Sequence, residues 1–137
     1  MNPFISRSLD ETIRCGENIG RSLEGGEVLI LSGQLGSGKT VLAKGIAAGL
    51  GVQDTVTSPS FAILNVYSGR LDLYHFDFYR LSRAAELGEI GFDEYASADG
   101  VCLIEWGTLF LEHLPPQTKI IRFRDRGNGV REIDLPS

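Results

Sequence analysis

The sequence predicts an α/β fold built on a mixed sheet, and three observations carry that prediction. Val28-Leu29-Ile30-Leu31 and Val101-Cys102-Leu103-Ile104 are short, continuously apolar runs, the pattern of strands buried on both faces. Helix-periodic segments alternate with buried runs in the first half of the chain. Later, strand-like segments flank the turn sequences Ser68-Gly69 and Arg126-Gly127-Asn128-Gly129, which signal hairpins. Parallel and antiparallel strands are therefore expected in one sheet.

Each element follows from local chemistry. Ser8-Leu9-Asp10-Glu11 has the capping-box form, with Glu11 expected to reach back to the Ser8 amide. Leu9, Ile13, Ile19 and Leu23 recur at helical spacing until Gly25-Gly26 ends the helix. A glycine-rich turn follows the strand at Val28, and a second helix is expected from about Lys39 to Leu50. Phe61 to Tyr67 and Leu71 to Phe78 read as strands, and Arg83 to Leu87 as helix. Ile120 to Phe123 and Val130 to Ile133 flank the last turn.

The 137 residues fit a single domain over 1–137, long enough to bury a core without disulfide or metal staples. A hydrophobic fraction of 42% with 23% charged residues is that of an ordinary globular protein. The net charge of −5 argues against a broad basic nucleic-acid surface, although not against a subunit of a larger assembly. Cys15 and Cys102 lie in apolar or helical settings and read as buried reduced thiols. No CxxC or Cys/His cluster suggests zinc. With no leader-like or membrane-length apolar segment, a cytoplasmic protein without membrane association is expected.

The strongest chemical signal is Gly33-Gln34-Leu35-Gly36-Ser37-Gly38-Lys39-Thr40, which fits G-x-x-x-x-G-K-[ST]. Glycines allow the backbone to turn its N–H groups toward phosphate oxygens. The helix that follows adds its N-terminal amides and the positive end of its dipole. Lys39 can reach the β and γ phosphates, and the Thr40 hydroxyl can ligate magnesium. So short a motif also arises by chance, but here a buried strand precedes it and a helix follows. A nucleoside triphosphate with Mg2+ is the expected ligand.

Such a site needs an acid at the end of a neighbouring strand. Glu105 ends the run Val101 to Ile104, and Asp77 ends Leu73-Tyr74-His75-Phe76. Glu105 follows the more central-looking strand and is the first choice for the metal. Asp77 could orient the attacking water or meet the metal through water, or it could simply face solvent; spacing leaves this open. Alternation puts His75, Asp77 and Tyr79 on one face, a candidate switch or catalytic cluster. The plainer reading is a half-exposed strand with Phe76 and Phe78 in the core. Trp106 is either a core residue, the simpler reading, or packs near the nucleotide. Thr57-Ser58-Pro59-Ser60 could sense the γ phosphate, although such loops are commonly only turns. An Asn-Lys-x-Asp guanine-reading motif is absent, which argues against a Ras-like GTPase.

With these residues assembled, the chain resembles the TsaE (YjeE) family, small bacterial ATPases needed to make threonylcarbamoyladenosine in tRNA. The likeness rests on the loop Gly33 to Thr40, Val56-Thr57-Ser58-Pro59-Ser60-Phe61, Tyr74-His75-Phe76-Asp77-Phe78-Tyr79-Arg80-Leu81 and Leu103-Ile104-Glu105-Trp106. The H-x-D-x-Y-R and E-W elements are far more specific than the loop. The resemblance implies a P-loop NTPase-like three-layer fold with a mixed, mainly parallel central sheet and C-terminal hairpins. It implies weak intrinsic ATP hydrolysis and action with TsaD-like and TsaB-like proteins in modifying tRNA at position 37, tRNA being met only through the complex. A monomer is the expected state of the chain alone. By position, Thr40 and Glu105 match the magnesium residues, Lys39 the phosphate lysine and Asp77 an acid implicated in hydrolysis. Thr12 falls where the family approaches the base, and Ser60, Trp106 and Thr108 join the expected nucleotide contacts. Gln34 stands where the family usually has an acid, Ser60 where it usually has Thr, and Gly107-Thr108 where Pro and an acidic or amide residue are common.

Two other readings share the loop. A small-molecule kinase would need a lid and an acceptor pocket, and only about 97 residues follow Thr40. A nucleotide-gated binding module would work without hydrolysis.

Overall fold

A computed structural model describes residues 3–33, 38–57, 59 and 63–135. Gln34, Leu35, Gly36, Ser37, Ser58, Ser60 and Phe61 lie outside the described residues. The elements in order are β1 (Phe4–Ser6), α1 (Leu9–Ser22), β2 (Val28–Ser32), α2 (Lys39–Gly49), β3 (Leu64–Tyr67), β4 (Leu73–Asp77), α3 (Ala85–Glu89), α4 (Phe92–Ala96), β5 (Val101–Glu105), a 3-10 segment (Gly107–His113), β6 (Lys119–Gly127) and β7 (Val130–Asp134).

The strands form one seven-stranded sheet in the order β1-β7-β6-β2-β5-β4-β3. The central four strands, β6, β2, β5 and β4, run parallel. Antiparallel pairs close both edges, β3 on β4 at one side and β7 with β1 beyond β6 at the other. The expected mixed sheet with a parallel centre is therefore present. Of the two hairpins, β3–β4 sits at mid-chain, and β6–β7 is the C-terminal one. Its turn takes φ of 54° at Asn128 and 79° at Gly129, the conformation that Asn-Gly supplies at low cost.

Alternation along the central strands divides the core into two layers. Leu29, Leu31, Val101, Leu103 and Leu73 point toward α1 and α2, whereas Val28, Ile30, Cys102, Ile104 and Phe76 point toward α3, α4 and the 3-10 segment. Cys15 and Cys102 are both free and buried. Burial pushes their thiols up, to about 11 and about 12 respectively.

Helix α1 starts as its capping sequence requires, with the Ser8 Oγ accepting from the Glu11 amide at 3.1 Å. The return bond differs from expectation. Glu11 Oε1 accepts from the Arg7 amide at 2.9 Å, not from Ser8. The helix also ends at Ser22, short of the glycine pair, where Arg70 donates to the carbonyls of Gly20 and Leu23. Helices α1 and α2 pack glycine against glycine. A Cβ on Gly45 would sit 2.4 Å from the Ile13 carbonyl oxygen and 3.0 Å from the Gly16 Cα.

Strand β4 corrects the plainer reading of its sequence. It lies between β3 and β5, and His75 is fully buried rather than half-exposed. The short elements β1, α4 and the 3-10 segment were not legible from periodicity; three to seven residues are too few to define a repeat.

Candidate functional site

Because β2 and β5 are parallel neighbours, their C-terminal ends open at the same sheet edge, where α/β folds bind ligands. Leu31 pairs with Glu105, so the chain leaves β2 through Ser32 and Gly33 directly beside that carboxylate. It re-enters regular structure at Gly38, whose φ of 106° suits glycine and opens α2. The first turn of α2 has no side-chain cap and no acidic residue, so its N–H groups and dipole suit an incoming anion.

Lys39 is buried, with Nζ 4.7 Å from the centre of the Trp106 ring. Thr40 is exposed on the first turn. Trp106 follows Glu105 with φ of 63°, a left-handed conformation that is strained for a bulky side chain. Its ring also packs on Tyr79, centroids 5.0 Å apart. Trp106 is thus partly buried between a cation and an aromatic ring, at the sheet edge rather than deep in the core. The next residue, Gly107, has no room for a side chain: a Cβ would come within 2.9 Å of Ile30 and Ile104.

Glu105 and Asp77 stand directly opposite one another in the β4–β5 register, both only 6% exposed. Two carboxylates so placed repel unless a cation or hydrogen bonds compensate. Asp77 Oδ1 accepts from the Tyr79 amide at 2.9 Å, and Glu105 Oε2 lies 2.8 Å from His75 Nε2. Asp77 also donates its backbone amide to the Ile63 carbonyl at 2.8 Å. Ile63 itself has φ of 67°, an outlier for a β-branched residue. Strain therefore flanks both acids. Tyr79 lies beyond β4 and is exposed, so the buried polar face consists of His75 and Asp77 without it.

One hollow includes the end of β2 and another the start of α2. One, of about 500 Å³, is lined by Ser32, Gly33, Trp106, Phe123, Arg124 and Asp125. The other, of about 250 Å³, includes Arg7, Thr12, Gly38, Val41, Gly129 and Arg131. Thr12 is buried, its Oγ1 2.6 Å from Ser6 Oγ. Thr108 is exposed and lines neither hollow. The structure thus gathers Gly33, Gly38, Lys39, Asp77, Glu105 and Trp106 around one edge. Thr12 and Trp106 line different hollows, and Thr108 lines neither. Phe123 and Arg131 were missed in the sequence because only the pairing of β6 with β2 carries the hairpin to this edge, and Arg7 because it arrives through the pairing of β1 with β7. The His75–Glu105 contact was also missed, although H-x-D beside a strand ending in Glu was its available signal.

Among the described residues no group of three or more His, Cys, Asp or Glu could cage a metal. Magnesium takes only one or two protein oxygens and fills its octahedron with phosphate and water. Asp77 and Glu105, both nearly buried, and the exposed Thr40 hydroxyl are the oxygen donors that could hold such an ion.

Comparison with known proteins places this geometry. Residues 6–133 match the family model described as "Threonylcarbamoyl adenosine biosynthesis protein TsaE". The chain is 47% identical over 131 residues to the tRNA threonylcarbamoyladenosine biosynthesis protein TsaE of Treponema pallidum, covering 96% of this chain and 97% of that one. It is 46% identical over 109 residues to the protein of the same name from Bacillus subtilis, covering 79% and 68%. The crystal structure of Bacillus subtilis YdiB superposes with a TM-score of 0.82 at 37% identity, over 96% of this chain and 81% of that one.

Proposed function

The chain belongs to the TsaE family, and on that footing we propose that it serves in threonylcarbamoyladenosine formation in tRNA as an accessory Mg2+-dependent ATPase. It would act with TsaD-like and TsaB-like proteins and meet tRNA only through their complex. The observation that carries the reading is the shared edge of β2 and β5, where a phosphate-loop lysine, its helix N-terminus and a buried strand-end carboxylate converge.

ATP is the substrate in this reading. Backbone amides from Gly33 to Lys39 hold its phosphates, and Lys39 leaves the Trp106 ring to neutralise the β and γ oxygens. Thr40 and Glu105 would hold the metal, which when bound supplies charge compensation for the phosphates. Asp77, fixed by the Tyr79 amide, orients the water that attacks the γ phosphorus as the bond to ADP breaks. The hollow lined by Thr12, Gly38 and Arg131 would take the base. Slow hydrolysis is expected of the chain alone in this reading, with the rate rising in the complex.

The test is reconstitution. ATP hydrolysis and tRNA modification are measured with the chain alone, with its partner proteins, and with Lys39→Ala. Slow turnover alone that rises with partners, together with loss of modification in the variant, supports the reading. Fast turnover alone, or modification that proceeds with Lys39→Ala, counts against it.

A further inference from the structure

His75 is fully buried, yet one of its two ring nitrogens, Nδ1, has no hydrogen-bond partner among the described residues. Burying an unsatisfied polar atom is costly, and a side chain chosen for packing alone at this position would be apolar like its strand neighbour Phe76. The other nitrogen, Nε2, lies 2.8 Å from Oε2 of Glu105, whose side chain is itself nearly buried. In a contact with an ionised carboxylate, which only accepts, Nε2 is the donor. The register explains the reach. His75 pairs with Leu103 on β5, which places Glu105 diagonally across on the same face. β4 and β5 are interior parallel strands, and His75 alternates with Phe76 onto the sheet face that carries the α1 and α2 layer.

We infer that His75 is a positioning residue that locks the Glu105 carboxylate in the orientation a metal requires. One oxygen is held by the imidazole, which turns the other toward the sheet edge where Gly33 and α2 converge. The histidine touches neither nucleotide nor metal. It acts as the outer partners of metal-binding carboxylates do, and loss of such a partner lowers metal affinity by about 10–100-fold. The inference rests on the reading of Glu105 as a magnesium residue.

The experiment separates the two. Magnesium is titrated into the full chain with a fixed concentration of a non-hydrolysable ATP analogue, by calorimetry, and the analogue is titrated alone in a chelator. Four proteins are compared: the natural chain, His75→Leu, His75→Asn and His75→Gln. The Gln amide nitrogen reaches the position of Nε2, whereas that of Asn reaches only the position of Nδ1. Expected is a half-saturating magnesium concentration about tenfold higher or more for His75→Leu and His75→Asn. Recovery by His75→Gln, and metal-free analogue affinity unchanged in all four, complete the expected result. If His75→Leu fails to fold, the Asn and Gln pair decides. Unchanged magnesium dependence in the Leu and Asn variants overturns the inference while leaving the ATPase reading intact, as does an equal loss of affinity with and without magnesium. Absence of any magnesium-dependent binding by the natural chain overturns both.

Discussion

Asp77 and Glu105 face each other across the β4–β5 ladder, both nearly buried, and each carboxylate has a different local anchor: the Tyr79 amide for one and the His75 imidazole for the other. This asymmetry separates the effects of substituting them.

Removing the Glu105 carboxylate leaves His75 with no partner on either nitrogen. Glu105→Ala is expected to lower unfolding free energy by about 1–3 kcal/mol, the cost of a newly orphaned buried donor. Glu105→Gln keeps an oxygen within reach of Nε2 and should lose less than half as much. Urea unfolding of both variants measures the difference; equal losses would show that the contact contributes nothing to stability.

Asp77→Asn retains the oxygen that accepts from Tyr79 and removes one of two facing charges. Folding stability should hold or rise by up to about 1 kcal/mol. ATP hydrolysis in the reconstituted complex should fall by about 10²-fold or more with nucleotide binding retained. A variant that hydrolyses normally would remove Asp77 from the chemistry.

Trp106 is the sole tryptophan, and the Lys39 ammonium lies over its ring. A cation–π contact of this kind is given up if Lys39 moves to phosphates. Adding ATP with magnesium should therefore change tryptophan emission in the natural chain. Lys39→Ala should start from an altered emission and respond little. An identical response in both proteins would break the link between the lysine and the ring.

Gly45 touches α1 so closely that a methyl group has no space beside the Ile13 carbonyl. Gly45→Ala should push α1 from α2 and cost about 1–3 kcal/mol by overpacking, despite alanine's better helix propensity. Chemical denaturation reads the sign directly. A stabilised variant would show that the helices part without cost.

The thiols of Cys15 and Cys102 are raised from an ordinary 9.0 to about 11 and about 12 by burial. In the folded chain both stay protonated at pH 8 and should resist alkylation, reacting fully once unfolded. The unfolded chain loses these protons first as pH rises past 9.0, so their contribution to stability is present below that pH and declines above it. Rapid labelling of the native protein at pH 8 would contradict the burial.

Much of the fold could be read directly from residue order. Val28 to Leu31 and Val101 to Ile104 announced interior strands because both of their faces had to be apolar. The glycine-rich motif ending at Lys39 and Thr40 announced the start of α2, since its spacing is set by contiguous backbone. Ser8 announced the start of α1 for the same reason, as a cap is a bond over three residues. Relations across strands were not legible in this way. That His75 is buried rather than half-exposed follows from β4 being an interior strand with both of its faces packed, and sheet order is not encoded locally. The parallel registers alone set Glu105 against Asp77, within reach of His75 and beside the exit of β2. Likewise Arg131, about ninety residues from Gly38, reaches it only because β6 lies against β2. Local bonding can be inferred from the chain in order. Contacts made through packing depend on which strands become neighbours, and that is settled by burial of the whole sheet between its two helical layers.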